Sequence, residues 1–466
     1  MSAVGKLRDR FPRGPDTRPL RALAASGQLG YGIPEPALKS GLARDPDFIG
    51  CDMGSIDPGP HYLGSGQIAT SDIMTRRDLG LVLRGARALD VPLLLGTAGC
   101  AGARPHLDRT LEIIRSIAAE ENLHFRLAVI SADIPGDTVK AARQENRLRP
   151  LGKMAAPSDE EIDGSTHLVA QMGTEAFRRA LDTEADVIIA GRACDTAIFT
   201  AVPEMLGFPL GPATHMAKII ECTSICCTPG GRDAMLGILE GDTFLIESMN
   251  PERHATPMSV AAHALYEQAD PYQVHEPEGT LHLDEVVYEA VDDHRVRVHG
   301  ARWEDAAQLS IKLEGAIPVG ERGMVLAGAA DPRFIAAVDE ITAAVEKTVR
   351  DLLGETLAGD FQLFFRVYGR DGVVPWPDPP AEPPREVFVM VECIAPTADQ
   401  VKTVLACCKQ YLLHHGFPGR LSTAGNIAFP FTPPEVLAGP AYRFSLYHVM
   451  QVDELAPLFP IQVEEL

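Results

Sequence analysis

The feature that most constrains this chain is a short apolar run that stops at a glycine. Val187-Ile188-Ile189-Ala190 is followed by Gly191-Arg192-Ala193-Cys194-Asp195, and then by apolar residues at helical spacing. Strand, glycine loop and helix in succession form the repeating unit of an α/β sheet. Ligands of such sheets bind beyond the carboxyl ends of the strands, so Arg192 and Asp195 fall where an active site is expected. The planar fork of an arginine holds a carboxylate or phosphate. The structural alternative is that Asp195 caps the next helix and Arg192 pairs with it.

The same alternation extends on both sides. Phe48–Cys51, Val91–Leu95 and Phe125–Ile130 read as strands. Leu107–Ala118 carries Leu107, Leu111, Ile114 and Ile117 on one helical face, and Thr166–Leu181 reads as a helix. Thr243–Glu247 and Val296–Val298 read as antiparallel additions. In Leu309–Ala316 the alternation puts Lys312 and Glu314 on one face. A second pattern follows: a helix over Phe334–Leu353, strands at Phe361–Tyr368 and Val387–Glu392, a helix over Ala398–His415 and a strand over Tyr442–Gln451. A proline-rich connector, Trp376–Pro384, lies between the first two of these strands. A length of 466 residues exceeds one ordinary core. The expected architecture is α/β: a larger, mostly parallel α/β domain (residues 19–330) with glycine loops at its strand ends, plus a smaller two-layer α+β domain (331–466). Residues 1–18 are expected to form a mobile arm or lid.

Charge narrows the partners. The net charge of −22, from 42 basic and 64 acidic residues, argues against nucleic acid and anionic membranes, both of which need a basic footprint. No apolar run reaches the length of a membrane span. The first 18 residues lack the apolar stretch of a secretory signal. Nine cysteines without a disulfide framework fit a reducing cytoplasm.

Two glycine loops suit anion binding. Ser55 to Gly66 follows a strand and supplies Ser55, Asp57, His61, Tyr62, Gly64, Ser65 and Gly66; its exposed backbone N–H groups can hold an oxyanion. Gly96, Thr97, Gly99, Gly102 and Arg104 lie between a strand and a helix, the arrangement that binds phosphate or carboxylate, though they match neither nucleotide fingerprint. His215, Lys218 and Cys222 share a helical face; Lys218 can polarise a carbonyl and Glu221 can move a proton. The spacing of Cys222, Cys226 and Cys227 lacks the second pair of a zinc or iron–sulfur site. Asn250 and Arg253 are further binding candidates, and the loop Arg420–Pro433 is a candidate lid.

Several blocks in order resemble the acyclic terpene utilisation (AtuA-like) family. They are Gly54–Pro60 with Tyr62–Gly66, Gly191–Ala197, Asn250–Arg253, Thr256-Pro257 with Ser259–His263, Tyr266–Pro271 and Lys312–Ala316. The resemblance is dense over residues 45–330. It implies a catabolic role in acyclic terpene breakdown. It also implies a companion domain of about a hundred residues, fused or separate. The chain ends at Leu466 without one, so a small companion subunit is expected, and with it an oligomer.

The leading expectation is a lyase of the hydratase (hydro-lyase) type acting on a small organic acid or its thioester. The glycine loops would hold the charged end, Arg192 would clamp a carboxylate, and Asp57, Asp195, Tyr62 or His61 would serve as acid and base, with Lys218 polarising. The sequence requires no cofactor, and Asp52, Asp57 and Asp195 could hold a divalent metal ion. One alternative is an acyl-CoA-processing enzyme of terpenoid or branched-acid degradation, with Arg104 or Arg253 on the adenine-side phosphate. Another is a non-catalytic ligand-binding subunit.

Overall fold

The computed structural model describes residues 1–357, 360–375 and 382–466. The chain forms two compact units, Met1–Ile317 together with Phe444–Leu466, and Pro318–Arg443.

The first unit is built on a ten-stranded sheet. Its strands are β1 (Leu20–Ser26), β2 (Phe48–Asp52), β3 (Leu93–Gly96) and β4 (Arg126–Ile130). After β5 (His167–Gln171), which lies outside this sheet, come β6 (Val187–Ala190), β7 (Met235–Glu240), β8 (Thr243–Ser248), β9 (Val287–Ala290) and β10 (Arg295–His299). The chain continues through β11 (Ser310–Ala329), β12 (Gln362–Tyr368), β13 (Val387–Ala395) and β14 (Glu435–Gln451) to the last sheet strand, β15 (Ile461–Glu465). The order across the sheet is β9–β10–β8–β7–β1–β2–β3–β6–β4–β15. The five central strands, β1, β2, β3, β6 and β4, are parallel. The outer ones are antiparallel additions, as expected for Thr243–Ser248 and Arg295–His299.

The central strands are continuous apolar runs because both of their faces are covered. Leu94, Ile188 and Ile130 point into one core, and Leu93, Leu95, Ile189 and Val129 into the other. The helix Arg104–Glu121 closes one of these cores with Leu107, Leu111, Ile114 and Ile117, the stripe read from the sequence.

Three expectations change. Residues 1–18 are neither a mobile arm nor a lid: Ala3–Arg10 is a helix whose Val4 and Leu7, with Phe11, join the core, and Ala3 N–H donates to Asp186 at 2.7 Å. Its apolar face outweighs its charged one. The segment Thr166–Leu181 is not one helix. Its first part is β5, paired antiparallel with Lys312–Ala316 of β11, and only Thr174–Asp182 is helical. The stretch Phe334–Leu353 is broken at Ala337, between helices Pro332–Ala336 and Val338–Leu353.

The second unit is the two-layer α+β structure expected. The later part of β11, with β12 and β13, forms an antiparallel sheet in the order β12–β13–β11. Helices Val338–Leu353 and Ala398–His414 bury Ile341, Val345, Val404 and Leu405 with Val325 and Val391 of the sheet. Its limits differ from 331–466, because β11 runs unbroken past Ile317 and the final residues return to the first unit, where β15 pairs with β4. Part of the proline-rich connector, residues 376–381, lies outside the described residues. Among the described residues, no helix is long and apolar enough to cross a membrane.

Candidate functional site

A cleft of about 280 Å³ opens at the carboxyl ends of β1, β2 and β6, where an α/β sheet keeps its ligands. Ser26–Gln28 follow β1, Asp52 and Gly54–Asp57 end and follow β2, and Arg192 and Asp195 follow β6. Glu221 and Cys222 close it from the end of the helix Leu210–Ile220. An adjoining lobe of about 380 Å³ shares Ile56, Asp57, Arg192, Asp195 and Glu267 with it, and adds Gln171, Lys218, Glu276 and Lys312.

Arg192 is buried, and its Nε and Nη2 donate to the two carboxylate oxygens of Glu314 at 3.1 and 3.2 Å. Lys312 reaches the same carboxylate at 2.8 Å. Arg192 therefore pairs with Glu314, 122 residues on, and not with its neighbour Asp195. Burial opposes the charge on Arg192, but Glu314 and then Asp195 outweigh it and raise the guanidinium further. Asp195 opens the helix Asp195–Met205; the capping position belongs to Cys194, which makes no side-chain cap. An anion in the first helical turn is favoured by the helix dipole.

The loop Gly96–Gly102 braces this wall. Thr97 Oγ1 accepts from Ala193 N–H at 3.0 Å and donates to Ala193 O at 3.3 Å. Gly102, at φ +69°, lies against the backbone of Gly191 and Arg192 so closely that a Cβ would overlap it. A Cβ on Gly96 would overlap Ile198 of the helix that Asp195 opens. Gly96, Thr97, Gly99, Gly102 and Arg104 do not line the cleft. Thr97→Val should lower stability by about 1–3 kcal/mol, because it leaves the buried Ala193 N–H unpaired. Urea denaturation measures this, and an unchanged midpoint would mean that the loop is braced elsewhere.

Four acidic groups meet here. Burial, and then the charge of Asp195, push the Asp52 carboxyl well above the ordinary carboxylate range; its Oδ1 accepts from Gly54 N–H at 3.0 Å. Glu221 accepts from Lys218 Nζ at 3.1 Å, both side chains being buried. Burial lifts Glu221 to about 7 against the pull of Lys218. Lys218 is held protonated: burial works against its charge, and Glu221 and Asp195 prevail. Glu276, raised by burial, accepts from Thr196 Oγ1 at 2.7 Å.

Of the residues singled out in the sequence, Asp52, Ser55, Asp57, Arg192, Cys194, Asp195, Lys218, Glu221, Cys222 and Lys312 line the cleft or its lobe. The others do not. His61, Tyr62, Gly64 and Ser65 form a short helix, closed by Gly66 at φ +69°, that packs on neighbouring elements: His106 Nε2, in the first turn of the helix Arg104–Glu121, meets Tyr62 O at 3.0 Å, and Thr166 Oγ1 donates to Gly64 O at 2.8 Å. His215 lies in the core, edge-on to Phe244, with Nε2 3.3 Å from the Tyr288 hydroxyl. Arg104 pairs with Asp108 at 2.7 Å. Arg253 holds Asp233 at 3.0 Å and the carbonyls of Pro229 and Gly230, and Asn250 Oδ1 accepts from Glu252 N–H at 3.0 Å. Gly191 serves by its closeness to Gly102.

Ser26, Thr223 and Glu276 carry no motif in the sequence, and Tyr266-Glu267 only the family block. Among the described residues, the group that gathers three ligand-type atoms within 4.8 Å of one another is Glu221, Cys222 and His263, not Asp52, Asp57 and Asp195. Cys226 and Cys227 are buried apart from it, Cys226 against Thr223 O and Cys227 against Met235.

No curated protein and no solved structure matches the chain. Residues 101–232 and 239–432, more than half of it, match the acyclic terpene utilisation family protein AtuA, and the chain belongs to that family.

Proposed function

We propose that this AtuA-family chain is an enzyme of the hydro-lyase type, which removes water from, or adds it to, a small organic acid or its thioester. The observation that carries the reading is the pairing of Asp52 and Asp195 in one cleft with Arg192. Burial and the neighbouring charge raise the Asp52 carboxyl and favour its protonated form, which suits one carboxyl to give a proton while the other takes one.

In the elimination direction, Asp195 removes the proton from the carbon next to the carboxylate or thioester carbonyl. Negative charge moves onto the carbonyl oxygen, facing the fixed positive charges of Arg192 and Lys218. The electron pair then forms the carbon–carbon double bond as the carbon–oxygen bond to the hydroxyl breaks. Asp52 protonates that hydroxyl, which leaves as water. Hydration is the reverse. The acyl-CoA alternative gains nothing from Arg104 and Arg253, since both already hold carboxylates of the chain itself.

The test is to incubate the protein in deuterated water with branched β-hydroxy acids, α,β-unsaturated acids and their thioesters. Deuterium should enter at the carbon next to the carbonyl, with loss or gain of water seen by mass spectrometry. No exchange and no water addition with any member of the panel would reject the reading.

A further inference from the structure

We propose that Glu221, Cys222 and His263 form a site for a transition-metal ion of the zinc type at the wall of the cleft. The proposal goes beyond the reaction suggested above and does not depend on it.

The three side chains come from two fixed elements. Glu221 and Cys222 end the helix Leu210–Ile220, and His263 lies on the helix Pro257–Ala264, whose start is locked by the reciprocal cap of Thr256 and Ser259. One ligand-type atom from each lies within 4.8 Å of the other two. A second observation points to a ligand. His263 is 5% exposed, yet its Nε2 has no hydrogen-bond partner among the described residues. Its ring is stacked on Tyr266 at 5.4 Å, which fixes its plane. A buried imidazole nitrogen without a partner is costly, and a metal bond would satisfy it.

The donor set selects the ion. A thiolate, an imidazole and a carboxylate suit zinc or cobalt and disfavour magnesium and calcium, which take oxygen ligands. Three protein ligands would leave further positions open, and two of the three, Glu221 and Cys222, line the cleft. Lys218 is the counterweight. Its ammonium lies 3.1 Å from Glu221 Oε1 and supplies the positive charge that the carboxylate otherwise lacks. A bound cation would compete with it.

The experiment is a cobalt(II) titration of the full chain after chelator treatment, followed by absorption, with circular dichroism to confirm that each variant is folded. The wild-type protein should bind one cobalt ion with a sulfur-to-cobalt charge-transfer band, and zinc should displace it. Cys222→Ser should abolish the band, and His263→Ala, which removes a ligand, should weaken binding by at least the roughly 10–100-fold that loss of a ligand's supporting residue costs. Lys218→Met, which frees the Glu221 carboxylate, should tighten binding. Absence of the band in folded wild-type protein, its persistence in Cys222→Ser, or unchanged or weaker affinity in Lys218→Met would overturn the assignment.

Discussion

Glu314→Gln is expected to destabilise the protein by roughly 3–5 kcal/mol, because it strands the buried Arg192 guanidinium without its counter-charge. Glu314 accepts from both Arg192 and Lys312, and it is almost fully buried. Burial alone would raise its carboxyl; Arg192 and then Lys312 reverse this and hold it at about 2. The sign of the pH effect follows. A carboxylate depressed in the folded state stabilises it above the unfolded value, near 4.3, and loses that contribution as pH falls toward the folded value. The gap between wild type and variant should therefore be flat from neutral pH to about 5 and should shrink below about 4. Urea denaturation across that range measures it. Adding Arg192→Met to the variant should recover part of the loss, since the stranded charge is gone. A loss of less than about 1 kcal/mol at neutral pH would show that Arg192 finds its compensation elsewhere.

The second large effect is on turnover. Asp195→Asn should lower deuterium exchange and water addition by about 10²–10⁴, the usual contribution of a positioned acid or base. Stability should change by less than about 1 kcal/mol, because the residue only loses its charge in the first turn of a helix. Asp52→Asn should give a comparable loss, and the double variant should be little worse than either single one, since the two act as a unit. Full exchange in Asp195→Asn would place the base at another residue.

Much of the parallel core is visible in the sequence, because strands covered on both faces must be continuously apolar, as Leu93–Leu95 and Val187–Ala190 are. β1 is not visible. Leu20–Ser26 is rich in alanine and leucine, a helical composition, and it becomes a strand because β2 and β7 supply partners on both sides. The segment Thr166–Leu181 hides β5 for the same reason: the partner that makes it a strand, Lys312–Ala316, is distant in sequence. The site divides along similar lines. Arg192 and Asp195 stand at a strand end, where topology alone marks them. The true partner of Arg192 is far along the chain, and local spacing points to Asp195 instead. Glycine composition does not separate a loop that binds from a loop that braces. Gly102 and Gly191 are small because two backbones touch there, and that contact exists only in three dimensions.

The commitment of the Arg192 fork to Glu314 bears on which acids could enter. Two of its nitrogens are engaged within the chain, so it offers an incoming anion a stationary field and not a two-pronged grip. A field discriminates weakly between carboxylates of different shape. Selectivity among acids would then fall to the cavity walls, and a series of inhibitors should rank by chain length and branching more than by the geometry of the acid group.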